Sequence, residues 1–134
     1  MIVRFIILFL FLAANAHSQS GVNFKELPLD EALELAKKQN KKIFIDTYTP
    51  ACKPCKKMDI EFRNKDLANY FNENFINVKV NMNGPLANAY NSKFSVIFLP
   101  TLFIVTPEGY TTLRVEHIIS AKDLLQFGMQ SNKS

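Results

Sequence analysis

Residues 42–58 constrain this chain more than any other stretch. They begin with the apolar run Ile43-Phe44-Ile45, which reads as a buried strand, break at Thr49-Pro50, and open a helix on Cys52-Lys53-Pro54-Cys55. These are the only two cysteines in the sequence. Thiols at that spacing close within one helical turn, so they can cycle between dithiol and disulfide without unfolding their surroundings. The attacking species is the thiolate, which a helix N-terminus and neighbouring cations stabilise. Cys52 is predicted at that N-terminus, with Lys53, Lys56 and Lys57 beside it. Pro54 fits the first turn, where its missing N–H breaks no hydrogen bond.

A zinc half-site would need two further soft or imidazole ligands. No other cysteine exists, and His117 is the only histidine beyond residue 20. A permanent structural disulfide is the second alternative, but closing so short a loop removes little entropy from the unfolded chain. Two cysteines placed by chance would not account for the strand that precedes them and the helix they open. That context favours a redox pair.

With 134 residues and 48% apolar composition, the chain suits one domain with one core. The formal charge of +4 is not gathered into a stripe, and no nucleic-acid partner is expected. The Lys37-Lys38 and Lys41-Lys42 pairs instead bracket a helix end, where cations suit the macrodipole. Residues 1–16 have the form of a signal peptide: Arg4, an apolar run from Phe5 to Ala14, and the small-x-small site Ala14-Asn15-Ala16. The run falls short of the ~20 residues of a membrane span. Cleavage after Ala16 is expected, placing the protein in the periplasm or outside the cell, with an uncleaved anchor as the alternative. Residues 17–26 are expected to be a flexible lead-in, 27–130 the folded domain, and 131–134 a disordered tail.

Along the domain, Leu29, Ala32, Leu33 and Ala36 follow helical spacing, with acids leading and lysines ending the helix. Asn40 suits a left-handed stop. A central strand is predicted over 43–48, the Cys-x-x-Cys helix next, and then a helix over 66–73 capped by Asn64. A second strand follows at 75–82, a short helix at 86–93, and a third strand at 98–105 entered through Pro100. Thr106-Pro107-Glu108-Gly109 is a hairpin turn into a return strand at 111–116. Ser120 caps a last helix over 121–129. The order implies an α/β fold: a mixed central sheet with helices on both faces, ending in a β-hairpin and a helix.

On these residues the chain resembles the thioredoxin superfamily over about 27–129. Phe44-Ile45-Asp46-Thr47-Tyr48 leads into Cys52-Lys53-Pro54-Cys55-Lys56, as in the family's strand, loop and active-site helix. Asp46 stands six residues before the first cysteine, where thioredoxins bury an acid. Lys79 matches the lysine that approaches it, and Leu99-Pro100-Thr101 matches the cis-proline loop. The leader, Glu31-Ala32-Leu33 and Met58-Asp59-Ile60-Glu61-Phe62 are similar to secreted bacterial thioredoxin-like proteins. They are also similar to the C-terminal thioredoxin domain of periplasmic thiol:disulfide interchange proteins. The chain departs from the family at Ala51 and Tyr48, where tryptophans are common, and at Lys53, where glycine is usual.

The resemblance implies a thioredoxin-like fold and a thiol–disulfide oxidoreductase that reduces protein or peptide disulfides. In it Cys52 is the nucleophile and Cys55 the resolving thiol. Asp46 and Lys79 would support the proton transfers, and Lys53, Pro54, Leu99 and cis Pro100 would meet the substrate. Asp46, on an apolar strand, is expected to be desolvated and to have a raised pKa that Lys79 restrains. No metal or organic cofactor is implied, electrons would come from a membrane-bound donor, and the protein would act as a monomer. A disulfide-introducing oxidase and a redox-silent protein-binding module are the rival functions.

Overall fold

The computed structural model describes residues 20–134, so the leader expected at 1–16 lies outside them. Nine elements follow in chain order: α1 (Leu29–Gln39), β1 (Lys42–Tyr48), α2 (Lys53–Glu61), α3 (Lys65–Asn74), β2 (Phe75–Asn81), α4 (Ala87–Phe94), β3 (Thr101–Val105), β4 (Thr111–Val115) and α5 (Ala121–Ser131). The sheet runs β2-β1-β3-β4. β1 and β2 are parallel, joined by the crossover through α2 and α3, and β3 and β4 form an antiparallel hairpin beside β1. It is the mixed sheet, covered on both faces, that the element order implies.

The side-chain period of two in a strand divides the core into two layers. Phe44 of β1 with Leu102 and Ile104 of β3 packs against Met58, Leu67, Phe71 and Leu124 under α2, α3 and α5. Ile43, Ile45, Val78, Phe103 and Val105 point the other way, onto Ala32 and Ala36 of α1 and Tyr90 and Phe94 of α4. Because both faces are covered, β1 reads as an apolar run rather than an alternation. Asp46 has the parity of Phe44, so its carboxyl lies on the α2 side. Lys79, its register partner in β2, emerges on the same side.

Local signals place most boundaries. Asn40 stops α1 in the left-handed region at φ 51°. The Asn64 side chain accepts from Leu67 N at 3.0 Å to start α3, and Ser120 accepts from Asp123 N at 3.1 Å to start α5. Gly109, at φ +92°, closes the β3–β4 turn.

Four expectations are corrected. The third strand begins at Thr101 rather than Phe98, because Pro100 has no N–H to donate and Phe98 is turned out to solvent. The last helix continues past Met129 to Ser131, which is buried. The Ser131 carbonyl accepts from Lys42 Nζ, and its hydroxyl lies 2.9 Å from Thr112 Oγ1, so residue 131 belongs to the fold and not to a tail.

The largest correction concerns residues 20–26 of the lead-in, which are tied down. Val22 N donates to Phe62 O at 2.8 Å, Lys25 N donates to Asn77 O at 2.9 Å, and Lys79 N donates to Lys25 O at 3.0 Å. Lys25 thus bridges to Val78 on the outer edge of β2. Between these anchors the Phe24 ring packs on Phe44 and Phe62, at centroid distances of 5.9 and 4.9 Å. A single aromatic in a polar stretch is enough, since its neighbours satisfy an otherwise open sheet edge. Phe24→Ala should therefore cost roughly 2 kcal/mol of unfolding free energy in urea titration. A flexible lead-in would make the substitution neutral.

Candidate active site

The site is built at the C-terminal end of β1. The strand delivers Asp46, Thr47 and Tyr48, the chain turns through Thr49 and Pro50, and Cys52 caps α2. The Cys52 sulfur accepts from Cys55 N at 3.2 Å and so occupies the place of an N-cap oxygen, next to the unpaired N–H groups of the first turn. Cys52 is half-buried and Cys55 buried at 4% exposure, and the two are joined in a disulfide. Lys53 and Pro54 are exposed, as are Lys56 and Lys57, so the rim of the site is cationic. When the pair is reduced, the helix end and these lysines both favour a thiolate on Cys52.

Behind α2 the register of the parallel pair sets Asp46 opposite Lys79. Asp46 is 1% exposed, and Lys79 Nζ lies 3.5 Å from its Oδ2. The other oxygen, Oδ1, has no hydrogen-bond partner. Burial pushes the Asp46 carboxyl up to about 7, with the Lys79 charge pulling down and the Asp59 charge adding to the rise. This is the direction expected for a desolvated acid restrained by one cation. Burial works against the Lys79 ammonium, but its hydrogen bond to Asp59 and the charge of Asp46 outweigh it and hold Lys79 above its ordinary value. No hydrogen bond joins Asp46 to either sulfur.

The Leu99–Pro100 bond is cis. Thr101, the next residue, pairs in register with Thr47. Thr47 Oγ1 donates to Thr101 O at 2.8 Å and accepts from Thr101 N at 3.2 Å, so the cis-proline loop is pinned to the end of β1 that leads to Cys52. Pro100 is buried and Leu99 half-buried. The two residues before them, Ile97 and Phe98, are 76% and 56% exposed and give the loop an apolar flank.

The sequence reading missed part of the site. Lys79 makes its shortest ion pair with Asp59 of α2, not with Asp46. Asp59 lies four residues after Cys55, on the same face of the helix, and that spacing is the signal by which it was findable. The rings of Tyr48, Phe24 and Phe62 stand 4.9, 5.4 and 5.8 Å from the Lys79 ammonium. Phe24 and Phe62 come from segments far apart in sequence, and no local pattern announces them. His117, given no role from sequence, is exposed with Nδ1 against the Ile118 carbonyl. Among the described residues, no group of three or more His, Cys, Asp or Glu side chains is placed to hold a metal ion.

Comparisons with known proteins agree with this geometry. Residues 11–97 match the Thioredox_DsbH family model, described as "Protein of unknown function, DUF255". A solution structure of a candidate disulphide-isomerase from Bacteroides thetaiotaomicron is 31% identical, covering 86% of this chain and 96% of that one, with a TM-score of 0.73. A DsbH oxidoreductase shares the fold at TM-score 0.71 and 17% identity, over 85% of this chain and 88% of its own. The oxidised C-terminal domain of Neisseria meningitidis DsbD does so at TM-score 0.64 and 20% identity, over 80% of this chain and 99% of its own. No curated protein matches the chain. With its fold, its Cys-x-x-Cys helix and these matches in place, the chain belongs to the DsbH-type thioredoxin family.

Proposed function

We propose that the protein is an extracytoplasmic reductant of protein disulfides. The enzyme class, a thiol–disulfide oxidoreductase, is that of its family and of the redox pair it carries. The observation that carries the proposal is the half-buried Cys52 at a helix N-terminus, backed by a buried acid whose pKa burial raises to about 7. The leader pattern at residues 1–16 supports the location.

The reaction runs in two exchanges. The Cys52 thiolate attacks one sulfur of a substrate disulfide; a mixed disulfide forms and the first substrate sulfur leaves with the electron pair. Cys55 then gives its proton to Asp46, directly or through water, and attacks the Cys52 sulfur. The second substrate sulfur leaves as thiolate, the Cys52–Cys55 disulfide remains, and the proton on Asp46 passes to solvent. An acid near pH 7 suits this transfer, since it is partly ionised and still basic enough to accept a thiol proton. An extended substrate segment would pair with the backbone at Leu99, beside Pro100, by strand addition. Lys53, Pro54 and the Ile97-Phe98 flank would contact its side chains. A membrane-bound dithiol donor would restore the reduced state, and the protein would act as a monomer.

Two measurements test this reading. The mature protein should reduce insulin-type disulfides with an added dithiol, whereas a redox-silent binding module would leave them intact. Cys55→Ser should accumulate mixed disulfides through Cys52, because the resolving attack is gone. Trapping through Cys55 in a Cys52→Ser variant would reverse the two roles.

Asp46→Asn should slow resolution more than the first attack, read by stopped-flow between pH 6 and 9. The same variant tests the buried charge through stability. The folded pKa of Asp46 lies above its unfolded value, so its contribution is fully present at low pH and is lost as pH rises through about 7. Relative to wild type, Asp46→Asn should gain about 2–3 kcal/mol more at pH 8 than at pH 5 in urea titrations. An equal effect at both values would mean that Asp46 is not a charge held in a dry site.

A further inference from the structure

The Lys79 ammonium does not pair fully with the carboxylate directly across from it. Its hydrogen bond goes to Asp59 Oδ1, and Asp46 Oδ2 is left at 3.5 Å. The two acids differ in setting, Asp59 being 43% exposed and Asp46 1%. Asp59 is one helical turn beyond Cys55, so the helix that carries the sulfurs also carries the group that holds the lysine. The rings of Tyr48, Phe24 and Phe62 narrow the places the ammonium can occupy. A notch of about 190 Å³, lined by Gly21, Phe24, Asp59, Phe62 and Lys79 among others, lies beside Asp59 and Lys79. Asp46 is not among its lining residues, and its Oδ1 has no partner.

We propose that Asp59 is a positioning residue for the redox pair: it holds the Lys79 ammonium off Asp46, so that the buried carboxyl is only partly neutralised and stays able to take up a proton. The consequence for catalysis rests on the reductase reading above; the positioning itself does not. A full Lys79–Asp46 pair would stabilise the carboxylate and weaken it as a base. The negative charge of Asp59 acts in the same direction as its hold on the lysine, because it too disfavours a second charge nearby. The charged groups that act on Asp46 are Lys79 from β2, at 3.5 Å, and Asp59 from α2; across the antiparallel pair its register partner is the apolar Leu102 of β3.

The test is the carboxyl ¹³C titration of Asp46 in the oxidised protein, which needs no substrate. In Asp59→Asn the Asp46 midpoint should fall by about one pH unit or more, as expected when a cation closes on a carboxylate. Asp59→Glu should restore it. Lys79→Met should raise the midpoint, and most of the Asp59→Asn effect should disappear in that background. An unmoved midpoint in Asp59→Asn, or an equal fall with and without Lys79, would overturn the proposal. In the second arm, the pH profile of mixed-disulfide resolution should shift down with the midpoint in Asp59→Asn. A shifted midpoint in a protein that reduces no disulfide would keep Asp59 as a positioning residue and remove the reductase reading.

Discussion

A carboxyl buried under a redox helix is the constraint on which the rest of this site depends. Asp46 sits on the central strand, on the face that α2 covers, and it has one cation within reach and one oxygen with no partner. Leaving a charge there is costly, because a lone carboxylate in a dry interior loses its hydration and gains little in return. The protein reduces that cost by allowing the proton to return near neutral pH. In the proposed function, the same feature that weakens the fold would supply a base where the second sulfur must lose its proton. Structure and chemistry are linked through one group.

The surroundings of Lys79 show how far that link extends. The lysine is fixed by backbone register from β2, by Asp59 from α2, and by three aromatic rings. One of those rings, Phe24, arrives on the N-terminal segment, whose backbone bonds at Lys25 to Asn77 and Lys79 on either side of Val78. That segment adds short edge pairing to the sheet and at the same time walls the charge cluster. Its ordering therefore bears on the redox site as well as on stability.

Much of this was legible in the sequence. Apolar runs bounded by Asn, Pro and Gly mark strands whose faces are both covered, and the caps at Asn64 and Ser120 act locally, so the elements fall where spacing puts them. The Cys52–Cys55 pair follows from a strand feeding a helix, whereas the Asp46–Lys79 pairing came from the resemblance to thioredoxins, and the parallel register sets the two residues opposite each other. The hold of Asp59 on Lys79 was not legible, although its spacing from Cys55 was, because an ion pair between two elements depends on where a flexible lysine ends. The order of residues 20–26 was hidden for a different reason. Their backbone pairing is non-local, and a single Phe24 among polar neighbours carries no period. Ser131 was misjudged as frayed because its burial comes from Lys42 and Thr112, both distant in sequence.

The direction of electron flow depends on the balance between two electrostatic influences on the Cys52 thiolate. The helix N-terminus and the lysines at the rim stabilise it, which favours oxidation of partners. A buried acid close behind α2 opposes it when ionised, and Leu99 before the cis-proline adds no hydroxyl to the pair. The reductase reading requires the second influence to prevail. Equilibration of the Cys52–Cys55 couple with glutathione at pH 7 measures the balance directly. The expected potential lies in the reducing half of the range, toward the ~−270 mV of thioredoxin, and a value close to the ~−120 mV of a strong oxidant would contradict it.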